Sequence, residues 1–138
     1  MRLRLAISVI VLLLATSCAG ATAQEQEYTG YLTHGDNITY VQLCDDDDSM
    51  FYYIDSLPAG AEEQLASVQG VYSRIAGYQP QSTWYVTFGG RILPDRDYGD
   101  NIYGGHISHK IDVTALHDVQ SIVHQCPKHY PYAAYSEQ

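Results

Sequence analysis

The sequence predicts a mainly β fold, in which a small antiparallel sheet curls into a partly open Greek-key barrel and carries one short helix. Three observations support this prediction. Most of the chain after residue 23 alternates between apolar and other residues with period two, as half-buried strands do. One segment shows helical spacing instead. Two cysteines, Cys44 and Cys126, stand far enough apart in sequence to clamp nearly the whole domain.

Residues 1–23 have the pattern of a secretory signal peptide. Two arginines precede an apolar run that is too short to span a bilayer comfortably, and small residues follow it. Two processing outcomes stay open. A small-x-small site at residues 21–23 would free Gln24, whereas Cys18 directly after the apolar run offers a lipid-attachment site. We therefore expect an exported protein, located in the periplasm or held at the outer membrane as a lipoprotein.

The mature chain is strongly acidic. Removal of residues 1–23 leaves five basic and all sixteen acidic residues, a formal charge of −11 with histidines neutral. Such a charge repels nucleic acid and anionic lipid and favours cationic partners. The length fits a single domain, which we place at residues 24–127. Residues 128–138 have little apolar periodicity and are expected to form a flexible tail.

Cysteine usage agrees with export. If Cys18 belongs to the signal or carries lipid, Cys44 and Cys126 are the remaining thiols, and pairing is the default in an oxidising compartment. A bridge across 82 residues is worth roughly 4.5 kcal/mol in the chain-entropy model. Redox or metal use of these two thiols is the alternative.

Each predicted strand has residues of one face recurring at every second position. In chain order these sets are Ile38, Tyr40 and Cys44; Met50, Tyr52 and Ile54; Trp84, Val86, Phe88 and Ile92; and Ile107, Ile111 and Val113. The first strand is expected to be long and to bend at Gly35, where residues 34–37 have the composition of a turn and a strand segment begins near Asn37. A weaker run closes the domain at Cys126. The four aspartates at 45–48 then lie in the turn between the first two strands, where solvent makes like charges tolerable.

The helical segment starts after Pro58 and Gly60. Apolar residues recur at Leu65, Val68 and Tyr72, and acidic residues 62 and 63 stand in the first turn, where the helix dipole favours negative charge. We predict one short helix that ends near Gly70.

A resemblance follows from the motifs in this order. The chain has Gly30, Leu32 and Gly35 before Cys44, then Leu65, then a strand that ends in Gly-Gly-Arg-Ile at 89–92, then a closing strand that ends in a cysteine. This pattern, over residues 28–127, resembles the OB-fold domain at the C-terminal end of copper-resistance and envelope-stress outer-membrane lipoproteins, and their short stand-alone relatives. The resemblance implies an OB-like five-stranded Greek-key barrel with one short helix and a Cys44–Cys126 bridge. It implies no catalytic role, and copper handling is not implied because the N-terminal barrel of the two-domain members is missing.

Aromatic residues supply the first candidate binding site. By period count Tyr31, Tyr53 and Tyr85 fall on the strand face opposite the apolar one, so we expect them to be exposed. Aromatic rings on the sheet of such a barrel can stack on bases or sugars, and the negative charge leaves a glycan or a basic protein surface as the partner. Ordinary strand composition is the alternative.

A polar loop supplies the second candidate. Asp95, Asp97, Asp100 and Asn101 could fold over one divalent ion with several oxygens, although ligand-free loops have the same composition. The run at 45–48 lacks the alternate spacing and glycine pivot of a calcium loop, which favours a solvated acidic tip. His106 and His109 would point to opposite faces of a strand and would not chelate, so His109 is expected to be hydrogen-bonded near the core.

Catalysis finds little support, because the sequence has no nucleophile elbow, zinc-protease motif or phosphate loop. We expect no enzyme, no cofactor, no nucleic-acid partner and no membrane contact beyond a lipid anchor. The favoured function is an exported, non-catalytic binding or adaptor module of the bacterial cell envelope, acting on protein or glycan. Two alternatives remain: an acidic inhibitor of a cationic enzyme such as a muramidase, and a divalent-metal-binding envelope protein.

Overall fold

The computed structural model describes residues 24–47, 50–73, 80–102, 104–122 and 126. The predicted signal with Cys18 and the predicted tail at 128–138 lie outside these residues.

The described chain forms six strands and one helix. They are β1 (Gln26–Gly35), β2 (Thr39–Leu43), β3 (Tyr52–Tyr53), α1 (Ala61–Ala66), β4 (Val71–Ser73), β5 (Gln81–Ile92) and β6 (Ile111–Gln120). Every pair of neighbouring strands is antiparallel. The predicted mainly β fold with one short helix is confirmed.

The sheet has the strand order of a Greek key. β3, β2 and β1 are neighbours in that order, and β5 returns after the helix to lie beside β1. β1 occupies one edge of β5 along residues 81–90. β4 pairs with residues 81–83 and β6 with residues 85–92, so these two strands must share the opposite edge. β5 is therefore the central strand of the fold.

The sheet does not close into a barrel, and it has six strands instead of the five expected. Its two ends meet at a single parallel bridge, where Tyr53 of β3 stands beside Lys110 just before β6. The Tyr53 backbone amide donates to the carbonyl of His109 at 3.0 Å. β3 has only two residues, so no further ladder can form with β6.

The predicted long first strand is instead a hairpin of β1 and β2. The chain reverses after Gly35, whose amide donates to the Ile38 carbonyl at 3.0 Å. The register then pairs Leu32 with Val41, and both enter the core. Ile38 and Tyr40, which the sequence analysis places together on the apolar face of one long strand, therefore lie outside the core cluster.

The main core packs between one face of the sheet and α1. It consists of Leu32, Val41, Leu43, Tyr52, Ile54, Ala61, Leu65, Trp84, Val86, Phe88, Ile111, Val113 and Leu116. The predicted inward faces of β3 and β5 are thus confirmed. That of β6 is confirmed at Ile111 and Val113, whereas Ile107 precedes the strand and lies outside the core cluster. Two register irregularities in the β5–β6 pairing, between Thr87 and Phe88 and between Gly89 and Gly90, interrupt the ladder as β-bulges do. Such bulges bend a strand and help it to curl over a core.

The helix is shorter than predicted. It begins after Gly60, whose φ of 81° lies in the left-handed region that glycine tolerates best. It ends at Ala66 instead of near Gly70, and Tyr72 belongs to β4, where it is exposed. The predicted acidic first turn, Glu62 and Glu63, is present.

The disulfide between Cys44 and Cys126 is present, with a Cα–Cα distance of 5.1 Å. It lies on the sheet face opposite the main core. A second small cluster forms there from Tyr31, Cys44 and Cys126, with Tyr85 and Ile122 packed against it.

Candidate functional site

A cleft with a volume of about 680 Å³ opens where three connecting segments meet. The β1–β2 turn contributes residues 34–39, and the connection from β3 to α1 contributes residues 53–57. The loop between β5 and β6 contributes residues 100–102 and Ile107, and Glu62 of α1 completes the lining. We refer to this feature as the cleft.

The loop between β5 and β6 is held in shape by its own backbone. Tyr98 and Ile107 are linked by a hydrogen bond from the Tyr98 amide at 2.9 Å, and the Ile107 amide donates to the Gly99 carbonyl at 2.8 Å. Closer to the tip, the Asn101 amide donates to Gly105 at 2.7 Å. Gly99 adopts a φ of 88°, which permits the turn. The loop thus folds back as a small hairpin and presents a defined wall.

Two side-chain contacts tie this wall to the opposite side. Asn101 Nδ2 donates to Tyr53 Oη at 2.9 Å. Lys110 Nζ donates to Asp55 Oδ1 at 2.6 Å, and the ammonium also lies 4.9 Å from the centre of the Tyr98 ring. Because the Asp55 side chain is mostly exposed, this ion pair adds little stability; it links the connection after β3 to the residue before β6.

The rim of the cleft is acidic. Its four carboxylates come from four separate segments: Asp36, Asp55, Glu62 and Asp100. The part of the chain that the structure describes contributes no lysine or arginine to the lining. The lining does include a histidine, His34. Its Nδ1 shares a hydrogen bond with Thr39 Oγ1 at 2.7 Å, and its Nε2 lies 3.7 Å from Glu62. The cleft therefore attracts positive charge.

Apolar side chains line the cleft between these carboxylates. They are Ile38, Ile54, Leu57, Ile102 and Ile107. Ile54 belongs to the core, whereas Ile102 is 60% exposed at the mouth. Apolar side chains together with a few placed polar groups are the composition of many ligand-binding clefts.

The expectation that Tyr31 is exposed is wrong. Tyr31 is only 2% exposed, because Cys126 and Ile122 pack over it on the outer face of the sheet. The Cys126 amide donates to Tyr31 Oη at 2.6 Å. Burial raises the pKa of Tyr31, and this effect outweighs the hydrogen bond from Cys126, which lowers it. Tyr31 is therefore a structural residue of the disulfide region.

The other two predicted binding tyrosines are half-buried and lie in different surroundings. Tyr85 pairs with Tyr31 across the strands, with ring centres 5.9 Å apart. Tyr53 borders the cleft and lies 6.2 Å from the ring of Tyr40. The register places all three tyrosines on the predicted face, but only Tyr53 reaches the cleft.

The four predicted metal ligands contact protein groups, and Asp97 and Asp100 share the partner His106. Asp95 accepts a hydrogen bond in its pair with His109 at 2.9 Å, whereas Asp97 and Asp100 lie 3.7 Å and 3.5 Å from nitrogens of His106. Asn101 is engaged by Tyr53 and by the Gly105 amide. Within the described ranges, no three His, Cys, Asp or Glu side chains form a group that could hold a metal ion.

The two histidines in question precede β6 and do not share a strand. His106 lies in the loop and His109 stands two residues before the first residue of β6. The prediction that they lie on one strand is therefore wrong, and in the structure each histidine contacts its own carboxylates. His109 is half-buried and hydrogen-bonded, with its ring 5.8 Å from Tyr52 at the edge of the core.

Three residues of the aspartate run, Asp45, Asp46 and Asp47, lie in the predicted turn between β2 and β3, and Asp48 lies outside the described residues. Asp45 and Asp47 are exposed, while Asp46 is half-buried. Burial, together with the charge of Asp46 and a hydrogen bond to it, raises the pKa of Tyr52 to about 12. The turn therefore places two carboxylates in solvent and one against the core.

Comparison of the chain with protein-family models, with curated proteins and with solved structures gives no match. Within the residues that the structure describes, no helix is long and apolar enough to cross a membrane.

Proposed function

We propose that this protein is an exported, non-catalytic binding or adaptor module of the bacterial cell envelope, and that it binds its partner in the cleft. The observation that carries the proposal is the combination of an acidic rim, uncovered apolar side chains and walls tied together by Asn101 and Lys110. A surface that is ordered before binding loses less entropy when a partner docks.

The cysteine bridge supports export, since disulfides persist in oxidising compartments. The Greek-key strand order and the single helix between β3 and β5 support the resemblance to the OB-fold domain of envelope lipoproteins. OB folds bind ligands through the loop between their first two strands and the loop between their last two. In this chain the cleft lies between the corresponding segments, the β1–β2 turn and the β5–β6 loop.

Copurification tests this proposal. The mature chain is immobilised and incubated at low salt with an envelope extract of the bacterium that produces it. A variant with Asp36→Asn and Asp100→Asn removes two rim charges, and a matched control with Asp112→Asn and Asp118→Asn removes two exposed charges on β6.

We expect the wild type and the control to retain the same envelope component, and the cleft variant to lose most of it. Equal recovery by the two variants would show that binding does not use the cleft. Failure of the wild type to retain any envelope component at low salt would contradict an adaptor role.

A second function, inhibition of a cationic enzyme such as a muramidase, is favoured by the absence of lysine and arginine from the described cleft lining. Inhibition should then weaken steeply as salt screens the charges. An inhibition assay over a salt series separates the two functions, because an adaptor leaves the enzyme active at every salt concentration.

A further inference from the structure

We infer that the cleft binds one basic side chain, lysine or arginine, that a protein partner inserts into it. This inference rests on the proposed function and names the chemistry of the partner. It depends on three properties of the cleft: the sign of its rim, its apolar lining and its size.

The rim selects a cation. Asp36, Glu62 and Asp100 belong to the β1–β2 turn, to α1 and to the β5–β6 loop, so they approach the opening from different sides. A positive group that enters between them is attracted by each, and a phosphate or sulfate group is repelled by each. Lys110 does not neutralise these three, because its ammonium is engaged by Asp55. Two of them have a histidine as neighbour: His34 lies 3.7 Å from Glu62, and His106 lies 3.5 Å from Asp100.

The apolar lining favours a cation that is carried by a chain of methylene groups. Ile38, Leu57 and Ile102 line the same cleft, and Ile102 is 60% exposed. Lysine and arginine bury their methylene groups along apolar surface while the charged end remains at polar groups. A bare metal ion would leave this lining uncovered, and the described side chains offer it no group of three ligands.

The Tyr53 ring at the cleft adds a further contact for a cation. Its hydroxyl accepts the hydrogen bond from Asn101, which holds the ring in place. A guanidinium or ammonium group beside an aromatic ring gains a cation–π contribution. A neutral sugar could stack on the same ring but would gain nothing from the charge of the rim.

The volume favours a side chain presented by a protein over a small free amine. About 680 Å³ is the size of a site for a ligand of many atoms. One basic side chain fills only part of this space, so backbone and neighbouring residues of a partner are needed to cover the remainder.

Nuclear magnetic resonance titration of the ¹⁵N-labelled mature protein tests the inference. The probe is the peptide acetyl-Gly-Arg-Gly-amide, and the matched control peptide carries citrulline, which keeps the stem and replaces the charged guanidinium by a neutral urea. Ionic strength is held constant. We expect saturable shifts of the amides of residues 34–39 and 100–102 with the arginine peptide, and none with the citrulline peptide.

Two variants sharpen the test. The Asp36→Asn and Asp100→Asn variant should raise the dissociation constant of the arginine peptide about fivefold, while the Asp112→Asn and Asp118→Asn control leaves it unchanged. Ile102→Asn should weaken the arginine peptide about threefold without loss of folding, since this side chain is exposed.

Each result bears on a different claim. Equal shifts with the citrulline peptide would contradict the inference that the cleft binds a basic side chain. The absence of shifts at the cleft with the arginine peptide would contradict it as well. In both cases the copurification experiment remains independent. If the cleft variant still loses the envelope component there, the binding function stands and only the ligand chemistry is wrong.

Discussion

The two ends of the β1–β2 hairpin both carry carboxylates, yet they form very different surfaces. At the end of β2, Asp45 and Asp47 are exposed, and Cys44 beside them is bridged to Cys126. At the hairpin turn, Asp36 lines the cleft together with carboxylates from three other segments. The described carboxylates of this one turn thus lie mostly in solvent, whereas at the cleft carboxylates from several segments meet around apolar side chains.

Exposure shows the same difference. Tyr31, in the disulfide region, is 2% exposed, while Ile102, at the cleft, is 60% exposed. Because Cys126 and Ile122 pack over Tyr31, its ring belongs to the protein interior and is not available to a partner. We therefore expect substitutions in the disulfide region to change unfolding, and substitutions at the cleft to change binding.

The largest expected effect is loss of the bridge. Replacing Cys44 and Cys126 together by alanine should lower the free energy of unfolding by about 4 kcal/mol, because the unfolded chain regains the freedom of an 82-residue loop. Urea denaturation measures the change, and the reduced wild type serves as the control, since its midpoint should match that of the variant. A loss below about 1 kcal/mol would show that the bridge is not the main clamp.

A smaller effect is expected from Tyr31→Phe. The substitution leaves the Cys126 amide without the hydroxyl that accepts its hydrogen bond, so the free energy of unfolding should fall by about 1 to 2 kcal/mol. Tyr72→Phe removes an exposed hydroxyl and should change nothing measurable. Equal stability of the two variants in urea would mean that the buried hydrogen bond contributes nothing.

The cleft should show the opposite response. Asp36→Asn with Asp100→Asn should leave the free energy of unfolding within about 0.5 kcal/mol of the wild type, because both side chains are exposed. The same variant should bind the arginine peptide about fivefold more weakly. Urea denaturation and peptide titration on one sample give both numbers. A loss of stability as large as that of Tyr31→Phe would contradict the expectation that the cleft contributes to binding and not to stability.

The smallest effect concerns Tyr52 beside the aspartate run. Its pKa is raised to about 12 mainly by burial and then by Asp46. The unfolded tyrosine ionises near its ordinary pKa of 10 while the folded one keeps its proton, so stability is lost as the pH rises from about 10 towards 12. Asp46→Asn should lower the pKa of Tyr52, though not to 10, because the burial remains.

The ring signals of ¹³C-labelled tyrosine, followed against pH, measure this change. Asp45→Asn is the matched control, since Asp45 is exposed and is not among the causes of the shift. An equal response to the two substitutions would mean that the general negative field, and not the contact with Asp46, raises the pKa.

The sequence predicted well where one strand face meets the core. Trp84, Val86 and Phe88 alternate without interruption, because the extra residues at the two register shifts belong to β6 and leave the period of β5 intact. The helix was located for a similar reason, since its first turn carries a local signal in Gly60 and the acidic residues after it.

The turn predicted at residues 34–37 is present, but it reverses the chain into a hairpin instead of bending one long strand. Core positions fall on even numbers in β1, as at Leu32, and on odd numbers in β2, as at Val41 and Leu43. A bend within one strand does not change this parity, whereas a turn of the hairpin does. Recognising the change would have separated the two strands.

The site could not be predicted for a different reason. Periodicity gives the face of Tyr31 but not its cover, which arrives from Cys126, 95 residues later. In the same way, Asp36, Asp55 and Glu62 stand in different segments, and only the folded chain brings them to one cleft. Of the residues selected from the sequence, Tyr53, Asp100 and Asn101 line it.

The position of β5 has a consequence for deuterium exchange. β5 has a neighbour on both edges along most of its length, so its amides can open only when the whole sheet separates. The loop amides at the cleft can open without that event. Slower exchange at the cleft with unchanged exchange in β5 would therefore report occupancy of the cleft by a partner, separately from any change in global stability.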